Sequence, residues 1–425
     1  MRRLLLPFSL FSAALFIAAL WFFLDPRLPA IASGFDRDAS GALEKHEAGM
    51  RLRAAFAQVD RDDSGAVDGV EFRRWLLASW LSGASRSVSV PPAPERVTDA
   101  VLRQWLESPV EAGQLEGIGL LVVNAEGIAF EHAAGAFSAA EPVALGTASA
   151  WPAAAVHACL RERGELNPDA PMGMFAPDLP ATWAKRSATE LLSHTGGVPP
   201  YPLTDAAPDQ SLAQVSRDLV RTLRPVQPGV RFELSAVGPQ IAAWWAEETT
   251  GRSWRRLFVE CLGWPLSLDK AEWGHAVLGT SPFVDAQAGL SLSLREYGAF
   301  LAMLLAEGRY AGVRNLRPRS LAWLETERVA GRPIEGGPEM EEGVGYALGA
   351  WCERIAATGR CSALSAPGAL GAYPWLDRER GIAGVLLTLE GRGRTRAFAA
   401  ATRRLAEQAY GRAVLIEPTS GARRR

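Results

Sequence analysis

A chain of 425 residues is long enough for more than one domain, and 48% hydrophobic residues can bury a large core. A formal net charge of −2 gives no electrostatic reason to expect a nucleic-acid partner. Four cysteines are few, and no Cys/His spacing suggests zinc.

At the N-terminus, Arg2 and Arg3 precede an uncharged, mostly apolar run from Leu4 to Leu24. About twenty such residues suffice to cross a bilayer as a helix, and the two arginines favour leaving the N-terminus in the cytoplasm. Residues 1–32 therefore read as a transmembrane anchor. The alternative is a signal peptide cleaved after Ala30-x-Ala32, but signal-peptide apolar cores are usually nearer ten residues. Either way the remainder lies outside the cytoplasm, membrane-anchored on the periplasmic side or secreted.

Residues 33–80 carry two twelve-position loops of one pattern. The first offers oxygens from Asp36, Asp38, Ser40, the Ala42 carbonyl, Glu44 and the bidentate Glu47, with Gly41 at the sharp turn. The second repeats it with Asp60, Asp62, Ser64, Ala66, Asp68 and Glu71, and with Gly65 at the turn. Leu43 and Val67 fill the apolar eighth position, where paired loops meet through a short strand bridge. This pair resembles the EF-hand family and implies two calcium sites. The loops start so close together that only one helix fits between them. A structural clamp is therefore expected rather than a sensor that opens.

Residues 81–96 are rich in Pro and Ser and read as an extended spacer. Beyond it, Val97 to Leu106 reads as a helix. Ile118 to Val123 and Ile128 to Glu131 read as strands joined at Asn124-Ala125-Glu126-Gly127. The stretch from Val143 ends a strand, turns, and enters a small-residue helix closed by Gly164. Leu191-Leu192-Ser193-His194-Thr195-Gly196-Gly197-Val198-Pro199-Pro200 follows, then a helix ending at Thr250-Gly251. Gly345-Tyr346, Ser365 to Gly371, a strand from Ile382 to Leu389 and a helix from Arg394 to Tyr410 complete the region. Cys352 and Cys361 flank a plausible hairpin, so a disulfide between them is geometrically possible in an oxidising compartment. Cys159 and Cys261 read as buried thiols. Residues 414–425, ending in three arginines, read as a disordered tail.

In order and spacing, 97–413 resembles the serine beta-lactamase and penicillin-binding-protein superfamily, nearest the class C beta-lactamase, esterase and D-alanyl-D-alanine carboxypeptidase group. The resemblance implies an α+β fold: an antiparallel sheet flanked by helices, with a helical lobe and the active site between them. It also implies three motifs. The Ser-x-x-Lys slot holds Thr147 and Ala150, the Tyr-x-Asn slot holds Leu234 and Ala236, and the Lys/His-x-Gly slot holds Ala366 before Pro367 and Gly368. Apart from the hydroxyl of Thr147 and the Gly, every polar group of the motifs is replaced by an apolar one. A hydroxyl without a base is a poor nucleophile, and Ser149 and Ser235 have no base in sequence reach. The expected function is thus non-catalytic: a calcium-binding protein whose cleft holds a cell-wall peptide, an acyl ligand or a protein partner. The alternative is an active serine-type hydrolase using Thr147 or another hydroxyl. By the same resemblance, His194 lies in a scaffold turn and is expected to act as a hydrogen-bonding strut. His132, His157 and His275 read as isolated structural residues, and Trp244, Trp245, Trp254 and Trp264 as core.

Overall fold

In the computed structural model, residues 40–44, 59–75, 87–174, 176, 178–200, 203, 209–275, 282–335 and 344–413 are described. The N-terminal apolar run, Asp36, Asp38, Glu47 and the tail 414–425 lie outside them. Among the described residues no helix is long and apolar enough to cross a membrane.

The run GIGLLVVN alternates its side chains between two faces, as strand geometry requires. It forms strand β1 (Gly117–Asn124), which turns at Ala125-Glu126 into β2 (Gly127–Gly135) with Asn124 opposite Gly127. Five further strands follow late in the chain: β3 (Gly345–Tyr346), β4 (Trp351–Ile355), β5 (Cys361–Ser365), β6 (Tyr373–Asp377) and β7 (Ile382–Thr388). All seven pair antiparallel in the order β3-β4-β5-β6-β7-β1-β2. The first and last strands of the sheet, β1 and β7, are thus neighbours within it.

Each face of the sheet meets its own layer. Ile118, Leu120, Val122, Ile382 and Leu386 pack against helix α1 (Asp99–Glu111) and the C-terminal helix Arg392–Tyr410. There Trp105 stacks on Phe398 and donates its indole N–H to Thr402 Oγ1 at 2.9 Å. Leu121, Val123, Val385 and Leu387 face the opposite way, into a larger core shared with helices α2 (Ala150–Arg163), α3 (Val237–Thr250) and α4 (Leu294–Leu305). Helices α2 and α3 end, as expected, at glycines in the left-handed conformation, Gly164 (φ 73°) and Gly251 (φ 68°). The short strand expected between the two loops is present: Leu43–Glu44 pairs antiparallel with Ala66–Val67, Leu43 opposite Val67.

Four expectations are corrected. Cys159 and Cys261 are not thiols: they form a disulfide across 102 residues, with Cα atoms 5.9 Å apart. It pins α2 to the turn Val259–Gly263, a proximity that only the packed lobe creates. Cys352–Cys361 is bonded as considered, so all four cysteines are paired. Trp264 is 71% exposed, whereas Trp244, Trp245 and Trp254 are buried. His132 is not isolated, since Nε2 lies 2.8 Å from Glu107. Within the expected spacer, Val88 is buried in the outer-layer core and its N–H bonds to Arg394 O.

Candidate functional site

Thr147 stands in a tight helical turn, Gly146–Ser149, that feeds directly into α2. Three contacts hold the turn. The Ser149 hydroxyl donates to Gly146 O (2.7 Å) and accepts from Leu290 N (3.1 Å), and the Tyr297 hydroxyl donates to Ala148 O (2.9 Å). Ser149 is thereby fully engaged and buried, so it is a strut and not a reactive hydroxyl. The segment after β5 lies across the turn. A Cβ on Gly368 would sit 2.1 Å from Leu145 O, so only glycine permits this approach. Here the half-buried Thr147 Oγ1 donates to Pro367 O at 3.3 Å, its single hydrogen bond among the described residues. A carbonyl oxygen accepts a hydrogen bond but takes no proton.

The other residues singled out for this site in the sequence are apolar and packed into the core. Ala150, one helical turn on from Thr147, is 3% exposed. Its carbonyl is covered by Gly349 (φ 77°), where a Cβ would meet it at 2.3 Å. Leu234 packs with Phe232, Val329, Tyr346 and Trp351. Ala236 heads α3, and Ala366 is 4% exposed.

His194 sits at φ 56° in the turn after the short helix Ala188–Leu192, beneath Leu234 and Ala236. Its Nδ1 accepts the Ser235 N–H at 3.4 Å, and its ring lies edge-on to Phe232 and Tyr346. Burial pushes its pKa down to about 3, so the ring is neutral at physiological pH and a feeble base. The Ser235 hydroxyl is spent on Pro199 O, 2.9 Å away. His194 is therefore the strut the sequence suggested.

A family model described as beta-lactamase matches residues 102–409, nearly three quarters of the chain. The chain belongs to the beta-lactamase family. Among solved structures, a putative beta-lactamase from Bacteroides dorei DSM 17855 superposes with a TM-score of 0.64 at 24% identity, covering 73% of this chain and 99% of that one. A penicillin-binding protein homolog from Caulobacter crescentus gives 0.59 at 17% identity over 76% and 98%. EstCE1, described as a hydrolase with promiscuous acyltransferase activity, gives 0.60 at 16% over 73% and 98%. At these identities the likeness speaks for the fold. No curated protein matches the sequence. The turn that feeds α2 holds Thr147, and Ala150 opens the helix. Tyr297 and Gly349, which sequence reasoning passed over, shape the same turn. A glycine between two strands in Leu348-Gly349-Ala350 was the available signal.

The second acidic loop also converges. Carboxylate oxygens of Asp60, Asp62 and Glu71 all lie within 4.8 Å of one another. Asp60 accepts N–H bonds from Ser64 and Gly65, and Glu71 accepts from Arg61 N (2.7 Å) and Asp68 N (3.2 Å). Ser64 Oγ donates to Ala66 O at 2.9 Å, and Ser40 does the same to Ala42 O at 3.1 Å in the first loop. Glu44 lies in the strand paired with Ala66–Val67. An all-oxygen set of this kind suits a hard cation.

Proposed function

We propose that this beta-lactamase-family protein is a non-catalytic binding protein, held outside the cytoplasm, with a calcium-binding module ahead of its large domain. One observation carries the reading: the only hydroxyl kept in the motif positions, Thr147, donates to a carbonyl, with Ala150 where a base would have to be. General-base catalysis is worth roughly a hundred- to ten-thousand-fold, and the two groups that could supply it are replaced by Ala150 and Leu234. The side-chain methyl of Thr147 adds stiffness and crowding.

The same positions bear on the ligand. With Ala366 in place of a cation, nothing at that slot rewards a carboxylate, so an uncharged acyl chain or an apolar peptide segment fits better than a charged cell-wall peptide. The oxygen cluster of the second loop supports calcium. Four paired cysteines support an oxidising compartment, in keeping with the N-terminal apolar run as an anchor or a cleaved signal. The competing reading is a serine-type hydrolase acting through Thr147.

Intact-mass spectrometry after exposure to a reactive beta-lactam, with turnover of a chromogenic cephalosporin and p-nitrophenyl esters, separates the two. The expected result is an unmodified mass and turnover no faster than buffer. An adduct mapped to Thr147 overturns the proposal in favour of the hydrolase.

A further inference from the structure

Helix α2 has a second end, roughly 20 Å along its axis from Thr147 at about 1.5 Å per residue. There its last turn, the following loop and the helix Pro318–Glu325 border an open surface pocket of about 460 Å³ lined by Arg161, Glu162, Gly164, Leu166, Asn167 and Arg319. That size falls in the range of small-molecule sites.

The charges in it are unequally satisfied. Glu162 is well engaged through Oε2, which accepts Arg317 N (2.8 Å) and the Ser320 hydroxyl (2.7 Å), while Oε1 lies 3.5 Å from Arg317 Nε. Arg161 lies over the Trp323 ring, 5.5 Å from its centroid, which fixes its plane. Among the described residues its guanidinium makes one loose ion pair, 3.6 Å to Asp169, and no side-chain hydrogen bond. Asp169 is itself committed to Trp323 Nε1 (3.2 Å) and Thr189 Oγ1 (2.6 Å), and it also faces Arg328. Arg319 is exposed and has neither hydrogen bond nor ion pair among the described residues. It stands on the first helical turn after Pro318, where a cation opposes the helix dipole instead of complementing it. The α2 C-terminus adds only about half a negative charge, less than the two guanidiniums supply.

We propose that this pocket binds a small oxyanion-bearing ligand, its phosphate or carboxylate group seated between the Arg161 and Arg319 guanidiniums. The planar forks match such groups in bidentate fashion, and the Asn167 amide can add a donor, since its Oδ1 is engaged by Asp169 N. This site is separate from the Thr147 cleft and does not depend on how that cleft is read.

The test is calorimetric titration of the full chain with inorganic phosphate and, separately, with succinate, at ionic strength held constant with chloride. Saturable binding of one or both supports the proposal, and which of them binds identifies the group. Arg319→Ala touches nothing in the fold and is expected to weaken binding about tenfold, the effect of one charged hydrogen bond. Arg161→Lys, which keeps the charge but loses the fork, should weaken it too. Arg404→Ala removes the same charge from an exposed position on the C-terminal helix and should leave affinity unchanged. No saturable binding of either anion, wild-type affinity in Arg319→Ala, or an equal loss in Arg404→Ala overturns the proposal.

Discussion

Asp285 offers a sharp test of how the core treats charge. Its side chain is 4% exposed in the segment leading to Leu290–Leu292. Two backbone donors, Gln287 N and Ala288 N, reach its Oδ1 at 2.9 Å each. They do not offset burial, which raises its pKa from 3.8 to about 6. The folded state therefore favours the protonated acid. Below about pH 3.8 the group is protonated in both states and costs nothing. Between there and pH 6 stability falls as pH rises, and above that the loss is complete. At about 1.4 kcal/mol per tenfold change in proton affinity, the loss is about 3 kcal/mol. Asp285→Asn keeps an oxygen for the two donors and cannot ionise. Urea unfolding followed by tryptophan fluorescence, run on both proteins across this range, reads the effect. Any fixed cost of the amide is the same at every pH, so the difference between the two proteins is what counts. That difference should move by about 3 kcal/mol in favour of Asp285→Asn from about pH 3.5 to about pH 7.5. A difference that stays flat would refute the reasoning, because it would mean that the buried carboxyl ionises as freely as in the unfolded chain.

Two further outcomes are expected. Replacing Cys159 and Cys261 together with serine opens a loop of 102 residues, and loop entropy predicts a loss of about 4–5 kcal/mol. The same change at Cys352 and Cys361, 9 residues apart, should cost only about 2–3 kcal/mol. Thermal unfolding without reductant ranks them, and an equal or reversed order counts against the entropic account. In calorimetry of the full chain, Glu71→Gln should weaken calcium binding by about tenfold or more, since the loop loses its bidentate carboxylate. Absence of calcium heat from the unaltered protein removes the calcium proposal altogether.

Much of this architecture is local and therefore readable along the chain. The short apolar run in Gly117–Asn124, the small-residue run of α2 with its Gly164 cap, and the apolar eighth positions Leu43 and Val67 all express the local demands of strand, helix and loop. So does the spacing of Thr147 and Ala150, which lie one helical turn apart in any helix that starts there. Their identities led to the expectation that the usual base is missing. Where the Thr147 proton is directed could not be read this way. Its acceptor, Pro367 O, is 220 residues away and is brought up by the Gly368 approach. The Cys159–Cys261 bond, the exposure of Trp264 and the neutral state of His194 are likewise set by what packs alongside. Sequence by itself determined which side chains are available and which local elements they form. Only the tertiary structure decided which of them meet, because contact, burial and the electrostatics that follow depend on distances that the chain sets by folding and not by order.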